Sequence, residues 1–183
     1  MDTHYFLGME VPEQARSFFQ QTSQRLKAVC SYRNWTDSAD YHLTLFFFGA
    51  LSDGQVDRLL PLFEKVSAAT VSFPLRLSGV NGFGDPAHPR VIYMGLEHSP
   101  QLHLLRKKLE RSLVETGIRM ETRPFHPHMT LARRWIAGNP IAKPAADESM
   151  SCRGWTARQI VLFKVCPGCK PRYSIVAAFP FST

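Results

Sequence analysis

The sequence predicts an α+β fold in which helices pack on mixed or antiparallel β-sheets. Segments typical of strands and helices follow in the order strand, helix, strand, helix, two strands, helix and further strands. The helical segments are too few, and the strand runs too close together, for a doubly wound parallel sheet. One tetrapeptide also recurs, as His42-Leu43-Thr44-Leu45 and again as His128-Met129-Thr130-Leu131.

The first elements follow from short apolar runs and the residues that interrupt them. Tyr5–Met9 predicts a strand, and Pro12 suits the first turn of the helix after it. The polar segment Ser31–Asp40 is predicted to be irregular. Tyr41–Phe48 is rich in aromatic residues and predicts a strand that ends at Gly49.

The middle of the chain is predicted as helix, two strands and helix. Ser52 is a candidate N-cap for a helix that Pro61 should kink or break. Val71–Val80 and Arg90–Leu96 predict strands, separated by a loop rich in glycine and proline. Ser99 begins a helix with an apolar stripe of leucines every three or four residues.

The last third is predicted as strands joined by loops. His128–Arg133 predicts a strand, and Ala137–Ala146, with a glycine and two prolines, predicts a loop. Arg158–Val165 and Tyr173–Phe179 predict the closing strands. Between them the segment Cys166–Cys169 reads CPGC and predicts a hairpin turn flanked by reduced thiols, because one cysteine pair alone falls short of a structural zinc site.

Charge and composition narrow the class of protein. Lysine and arginine number 22 against 15 aspartates and glutamates, a net charge of +7 that favours polyanionic partners such as RNA. With 44% hydrophobic residues, the chain is expected to form one globular domain over residues 1–183. No apolar run approaches the ~20 residues that cross a bilayer. Without a signal pattern or coiled-coil heptads, we expect a cytoplasmic monomer with no membrane role and no obligate protein partner.

The repeated His-x-Thr-Leu motif carries the strongest functional signal. Alternate side chains of a strand share one face, ~6.6–6.8 Å apart, so each copy presents an imidazole and a hydroxyl on one side and apolar residues to the core. If the two strands lie side by side, the four polar groups meet in one cleft. One histidine can then be neutral and the other protonated near pH 7, while the hydroxyls bind non-bridging oxygens. Such a site suits hydrolysis of a phosphodiester without a metal.

Other chemistries fit these motifs less well. Paired histidines can bind a metal, and Asp40 precedes His42 by two residues, but nothing similar precedes His128, and threonine is a poor zinc ligand. A serine or cysteine nucleophile would need an elbow such as G-x-S-x-G, which the sequence lacks. We therefore expect no metal and no cofactor.

At these residues the sequence resembles the 2H phosphoesterase superfamily, whose H-x-T-hydrophobic motifs lie half a chain apart. The closer resemblance is to the bacterial RNA 2′,3′-cyclic phosphodiesterases, also called 2′-5′ RNA ligases. The strings that carry it are YHLTLFFFG at 41–49 and RPFHPHMTLAR at 123–133, supported by HYFLGMEVP at 4–12 and PRVIYMGL at 89–96. Two departures lie outside the motifs, where His4 and Glu10 replace the more usual arginine and aspartate.

The resemblance implies a bilobal fold, in which two similar lobes of sheet with outer helices line a central cleft. It implies hydrolysis of an RNA 2′,3′-cyclic phosphate to a 2′-phosphate, with the joining of 2′-5′ ends as a related reverse activity. In such a site His42 would donate a proton to the departing 3′ oxygen and His128 would accept one from water. Thr44 and Thr130 would hold phosphate oxygens, and Arg133 would pair with the phosphate.

Four further residues are candidates for substrate contact. Phe6 and Phe46 have rings that can stack on a nucleobase. His126 alternates with His128 along the chain, and Tyr173 lies in a strand similar to the family's. The alternative functions are a non-catalytic RNA- or nucleotide-binding module on the same scaffold, and a zinc-dependent hydrolase.

Overall fold

The computed structural model describes residues 3–118, 124–139 and 154–182, which form three helices and nine strands. In chain order the elements are β1 (His4–Glu10), α1 (Glu13–Lys27), β2 (Cys30–Trp35), β3 (His42–Ala50), α2 (Asp53–Ala68), β4 (Phe73–Gly84), β5 (Pro89–Leu96), α3 (Pro100–Val114), β6 (His128–Gly138), β7 (Gly154–Ala157), β8 (Gln159–Val165) and β9 (Tyr173–Pro180). A short 3-10 helix, Ser38–Asp40, precedes β3.

The strands form two antiparallel sheets, one in each lobe of an α+β fold, as the sequence predicts. The first sheet has the order β3-β1-β8-β9, and the second has the order β2-β6-β5-β4-β7. The chain crosses repeatedly between them, so that the two motif strands, β3 and β6, belong to different sheets. Helix α1 packs near β2, whereas α2 packs against α3 and β9.

The helices begin where the local sequence supplies a cap. Ser52 and Gln55 form a reciprocal capping box at the start of α2, and the Ser99 hydroxyl accepts a hydrogen bond from the Leu102 N–H at the start of α3. The expected break at Pro61 is wrong, because α2 continues through it. Pro61 lies on the exposed side of the helix, while the opposite side is anchored by buried residues such as Phe63.

Three strand predictions need correction. The segment predicted to be irregular, Ser31–Asp40, contains all of β2 except its first residue; Cys30 and Tyr32 are buried, while Ser31, Arg33 and Asn34 are exposed. β4 runs through the predicted glycine-rich loop, because Gly82 lies where a Cβ would overlap the ring of Pro89 in the adjacent strand. The four-residue β7 was not predicted, and it pairs with β4.

Two predicted turns have different outcomes. The loop predicted at Ala137–Ala146 starts later, because β6 extends to Gly138, and its residues 140–146 lie outside the described ranges. The hairpin turn at Cys166–Cys169 is confirmed: the Cys169 N–H donates to the Cys166 carbonyl over 3.2 Å, and both thiols are free.

The core explains why the motif strands alternate. Buried apolar side chains from both sheets and all three helices form one continuous cluster, to which the motif strands contribute Leu43, Leu45, Met129 and Leu131. A smaller cluster of Phe6, Val161 and Phe163 lies on the other face of the first sheet. Within the described ranges, no helix is both long and apolar enough to cross a membrane.

Candidate active site

The two motifs occupy equivalent places at the start of their strands. His42 is the first residue of β3 and His128 is the first residue of β6. Both histidines and the threonines two residues later, Thr44 and Thr130, are half-buried on the face opposite the core. β3 and β6 lie next to each other, and the charges of His128 and Arg133 act on His42, so the two motifs are close in space; the region between them is called the cleft below.

Both imidazoles are held by the same backbone bond. The Nδ1 of His42 lies 2.7 Å from the Asp40 carbonyl oxygen, and the Nδ1 of His128 lies 2.7 Å from the His126 carbonyl oxygen. A carbonyl oxygen only accepts, so Nδ1–H donates in each case, which assigns the tautomer of the neutral ring. The Nε2 atom of each ring is therefore the one left for proton transfer.

His42 lies against an aromatic floor. Its ring centroid is 4.6 Å from that of Phe6 and 5.9 Å from that of Phe163, and Tyr173 meets it edge-on at 4.9 Å. Phe6 in turn stacks on Phe163 at 4.8 Å. These rings remove water from most of the imidazole and fix its orientation.

His128 has its own aromatic neighbours in the second sheet. The ring of Phe83 meets it edge-on at 5.0 Å, and that of Tyr93 lies at 5.3 Å. The Tyr93 hydroxyl is 2.9 Å from Nε2 of His126, whose ring centroid lies 6.3 Å from that of His128. The two histidines are thus supported in similar ways by different residues.

Arg133 adds a positive charge to the cleft. Its Nη2 donates a 3.3 Å hydrogen bond to Oγ1 of Thr130, in the second motif. The guanidinium is exposed, and its charge disfavours protonation of both His42 and His128. A positive field that acts on both rings attracts an anion to the space near them.

Burial makes both histidines weaker bases than usual. Desolvation lowers the pKa of His42 to about 4, with the charge of Arg133 adding to the effect and the Asp40 carbonyl opposing it. The pKa of His128 is lowered as well, first by desolvation and then by the charges of His126 and Arg133. With both pKa values lowered, the two rings are neutral at pH 7.

This burial predicts an acid-sensitive fold. The folded pKa of His42 is about 4, below the ~6.5 of an unfolded histidine, so the unfolded chain binds the extra proton first as pH falls. Stability is fully present above pH ~6.5 and declines towards pH ~4, by on the order of 2 kcal/mol. Urea denaturation at pH 7.5 and pH 4.5 should show a larger loss for the wild type than for His42→Asn.

The exposed His98 provides the control for this measurement. His98→Asn removes an imidazole outside the cleft and should lose as much stability as the wild type between the two pH values. Equal losses for the wild type and His42→Asn would contradict the assignment of the acid sensitivity to His42.

Of the four further residues predicted to contact substrate, two are buried and two border the cleft. Phe6 and Phe46 are 3% and 4% exposed, so the stacking on a nucleobase predicted for them does not fit their burial. Phe6 supports His42, and Phe46 packs in the main core with the Arg106 guanidinium 4.6 Å from its ring centroid. Tyr173 and His126 do border the cleft, through His42 and His128 respectively.

Sequence reasoning missed four residues that shape the cleft. Phe163, Phe83 and Tyr93 surround the motif histidines, and the only signal for them was the strand alternation that puts them on one face. Asp40 was noted for its spacing from His42, but its contacts involve a distant part of the chain. Among the described residues, no group of three or more histidine, cysteine, aspartate or glutamate side chains is arranged to hold a metal ion.

Two curated proteins named RNA 2′,3′-cyclic phosphodiesterase are similar to this chain. That from Geobacillus stearothermophilus is 29% identical over 180 residues, which cover 97% of this chain but 57% of that protein. That from Bacillus subtilis (strain 168) is 29% identical over 181 residues, which cover 98% of this chain and 97% of that protein.

Solved structures share the fold. E. coli LigT in apo form superposes with a TM-score of 0.78 at 20% identity, and its complex with 3′-AMP with a TM-score of 0.77 at 19% identity, each over 100% of both chains. The sequence model of the 2′-5′ RNA ligase superfamily matches residues 12–150, most of the chain. With its two His-x-Thr strands and this fold, the chain belongs to the 2′-5′ RNA ligase superfamily.

Proposed function

We propose that this protein hydrolyses RNA 2′,3′-cyclic phosphate ends to 2′-phosphates. The observation that carries the proposal is the pair of imidazoles, both fixed through Nδ1 by a backbone carbonyl, with a threonine hydroxyl beside each. Two relatives that match nearly the whole chain are named for this activity. The charge of Arg133 and the overall charge of +7 suit an RNA substrate.

The reaction needs one acid and one base on opposite sides of phosphorus. His128 Nε2 takes a proton from water, whose oxygen attacks phosphorus while the bond from phosphorus to the 3′ oxygen breaks. His42 gives its Nε2 proton to that 3′ oxygen, which leaves a 3′-hydroxyl and a 2′-phosphate. A 5′-hydroxyl in place of water makes a 2′-5′ bond by the same route. Thr44, Thr130 and Arg133 hold the phosphate oxygens.

Substrate binding favours the protonation state that the reaction needs. His42 has a pKa of about 4, so its protonated form is scarce at pH 7. A phosphate anion beside the ring favours the imidazolium and raises its pKa. Burial then favours the proton transfer, because an imidazolium that is destabilised by desolvation is a stronger proton donor.

The test is turnover of an oligoribonucleotide that ends in a 2′,3′-cyclic phosphate, with excess EDTA present. We expect a 2′-phosphate product and a bell-shaped pH profile. The optimum of kcat/KM should lie on the acid side of pH ~6.5, since both histidine pKa values are lowered in the free enzyme, whereas the optimum of kcat should lie at higher pH.

Three outcomes of this assay contradict the proposal. Binding of the cyclic phosphate end without any turnover identifies a binding module. Loss of turnover in EDTA, with recovery on adding zinc and bound zinc found by elemental analysis, identifies a metal-dependent hydrolase. A 3′-phosphate product would reverse the assignment of the leaving oxygen.

We further propose that residues 1–183 act as one bilobal catalytic domain, as a monomer in the cytoplasm without an obligate protein partner. The support for a single domain is that His42 comes from the first sheet and His128 from the second, so neither lobe alone carries both groups. Light scattering tests the monomer, with an expected mass of 20.8 kDa.

A further inference from the structure

In both motifs the histidine Nδ1 is hydrogen-bonded to the backbone, but the residue two positions before the histidine differs. The carbonyl of that residue accepts from Nδ1 in both motifs. Its side chain is a carboxylate in the first, Asp40, which is 9% exposed, and an imidazole in the second, His126, which is exposed. The two halves of the cleft thus share a backbone arrangement but carry a carboxylate at this position in one half and a titratable imidazole in the other.

The Asp40 carboxylate is bonded to a distant hairpin. It accepts the Arg172 N–H at 2.9 Å (Oδ1) and 3.1 Å (Oδ2), and the Tyr173 N–H at 3.2 Å (Oδ1). Tyr173 is the first residue of β9 and Arg172 directly precedes it, at the opposite edge of the first sheet from β3. Asp40 therefore links the start of β3 to the start of β9, two strands that are not paired with each other in the sheet.

These hydrogen bonds from Asp40 also position an aromatic residue beside His42. With its N–H bonded to Asp40, Tyr173 presents its ring edge-on to His42 at an interplanar angle of 80°, while Phe6 lies on another side at 37°. Tyr173 also meets Phe6 edge-on at 5.0 Å. One residue thus fixes His42 twice, through its carbonyl on Nδ1 and through its carboxylate on the hairpin.

We propose that Asp40 is a positioning residue that fits His42, and not His128, to be the proton donor of the proposed hydrolysis. The inference rests on the proposed function and adds a physical reason for the direction of proton flow. The Asp40 charge favours a proton on His42, whereas a proton on His126 opposes one on His128. The geometry holds the donor still, while the charge offsets part of the desolvation that disfavours its protonated form.

The other groups around each ring do not supply this asymmetry. Arg133 and His128, from β6, oppose a proton on His42, and the aromatic floor adds no charge. Glu10 is opposite His42 in register, but its carboxylate accepts from Gln159 at 3.2 Å and lies 3.6 Å from Arg16. Around His128, Arg133 and His126 are both cationic or can become so, and Tyr93 is bonded to His126.

The decisive variant is Asp40→Asn, which keeps an oxygen for the hairpin and removes the charge. If His42 is the donor, the scarce protonated form becomes scarcer, and kcat/KM falls by about tenfold at pH 8. The defect shrinks as pH falls below the pKa values of both rings, because the population with His42 protonated then no longer depends on its pKa. If His128 is the donor, the variant equals the wild type at pH 8 and exceeds it at low pH, and the proposal is wrong.

Asp37→Asn is the matched control. Asp37 is an exposed acid three residues earlier, whose side chain caps the 3-10 helix by accepting from the Ala39 N–H at 3.0 Å. Asparagine preserves such a cap while removing the same charge from the same segment. We expect its pH profile to match that of the wild type. A profile shifted as much as that of Asp40→Asn would show that any nearby negative charge suffices.

A second readout is independent of turnover. Nitrogen-15 spectra of protein labelled at histidine distinguish Nδ1–H from Nε2–H tautomers and follow each ring with pH. In Asp40→Asn the titration of His42 should move to lower pH while its Nδ1–H tautomer is kept. In Asp40→Ala, which keeps the backbone carbonyl but loses the side-chain contacts to the hairpin, the ring environment of His42 should change as well. An unchanged His42 spectrum in both variants overturns the inference, even in an active enzyme. The expected spectra with no RNA hydrolysis by the wild type would instead refute the proposed function.

Discussion

Replacing either motif histidine by alanine is expected to lower the rate of cyclic phosphate hydrolysis by about 10²–10⁴-fold, the usual contribution of a general acid or base. Each ring holds its Nδ1–H on a backbone carbonyl, so the lost function is that of Nε2. His42→Asn and His128→Asn separate the contribution of Nε2 from that of Nδ1, since asparagine can still donate from the position of Nδ1. These variants should be as slow as the alanine variants, in single-turnover assays that measure the chemical step.

The double variant makes this prediction stricter. Groups that act on one reaction as a unit are strongly non-additive, so the variant lacking both histidines should be little slower than either single variant. His98→Ala, outside the cleft, is the control and should retain the wild-type rate. Near wild-type turnover in either His42→Ala or His128→Ala would rule out the paired acid and base.

Removing either motif hydroxyl is expected to have the second-largest effect. Thr44→Val and Thr130→Val keep the size and branching of the side chain but delete a donor to the anionic phosphate. A hydrogen bond to a charged group contributes ~1.5–3 kcal/mol, so each variant should lose about ten- to a hundredfold in kcat/KM. Thr130→Val should lose more, because it also deprives the Arg133 Nη2 of its acceptor.

Serine provides the rescue for this pair. Thr44→Ser and Thr130→Ser retain the hydroxyl and should recover most of the lost kcat/KM, while urea denaturation should show little change in any of the four variants. If the valine variants keep the full kcat/KM, the hydroxyls do not contact the phosphate, and the phosphate-binding role proposed for Thr44 and Thr130 is wrong.

The parts of this molecule that sequence reasoning could predict depend on local periodicity. Alternation along β3 and β6 puts a histidine and a threonine on one face and leucines in the core, so the half-buried polar face was predictable from two tetrapeptides. The same holds for α2 and α3, whose caps at Ser52 and Ser99 are local hydrogen bonds.

The parts that it could not predict depend on partners distant in the chain. β2 is polar on one face and becomes a strand because β6 supplies a ladder about a hundred residues later. The burial of Phe6 depends on His42 and Tyr173 closing over it, which no pattern in β1 reveals. Asp40 has partners 132 and 133 residues away, so its spacing from His42 alone was open to a metal-ligand interpretation.

The membership of β3 and β6 in different sheets has a mechanical consequence. Among the described strands no backbone ladder joins these two, so the gap between the Nε2 atoms is maintained by side-chain packing, which yields more easily than a ladder. Mild heating or low denaturant should therefore widen the gap and stop turnover while circular dichroism still reports intact strands. The enzyme is expected to become inactive before it melts, and a tightly bound phosphate, by bridging the lobes, should delay that inactivation.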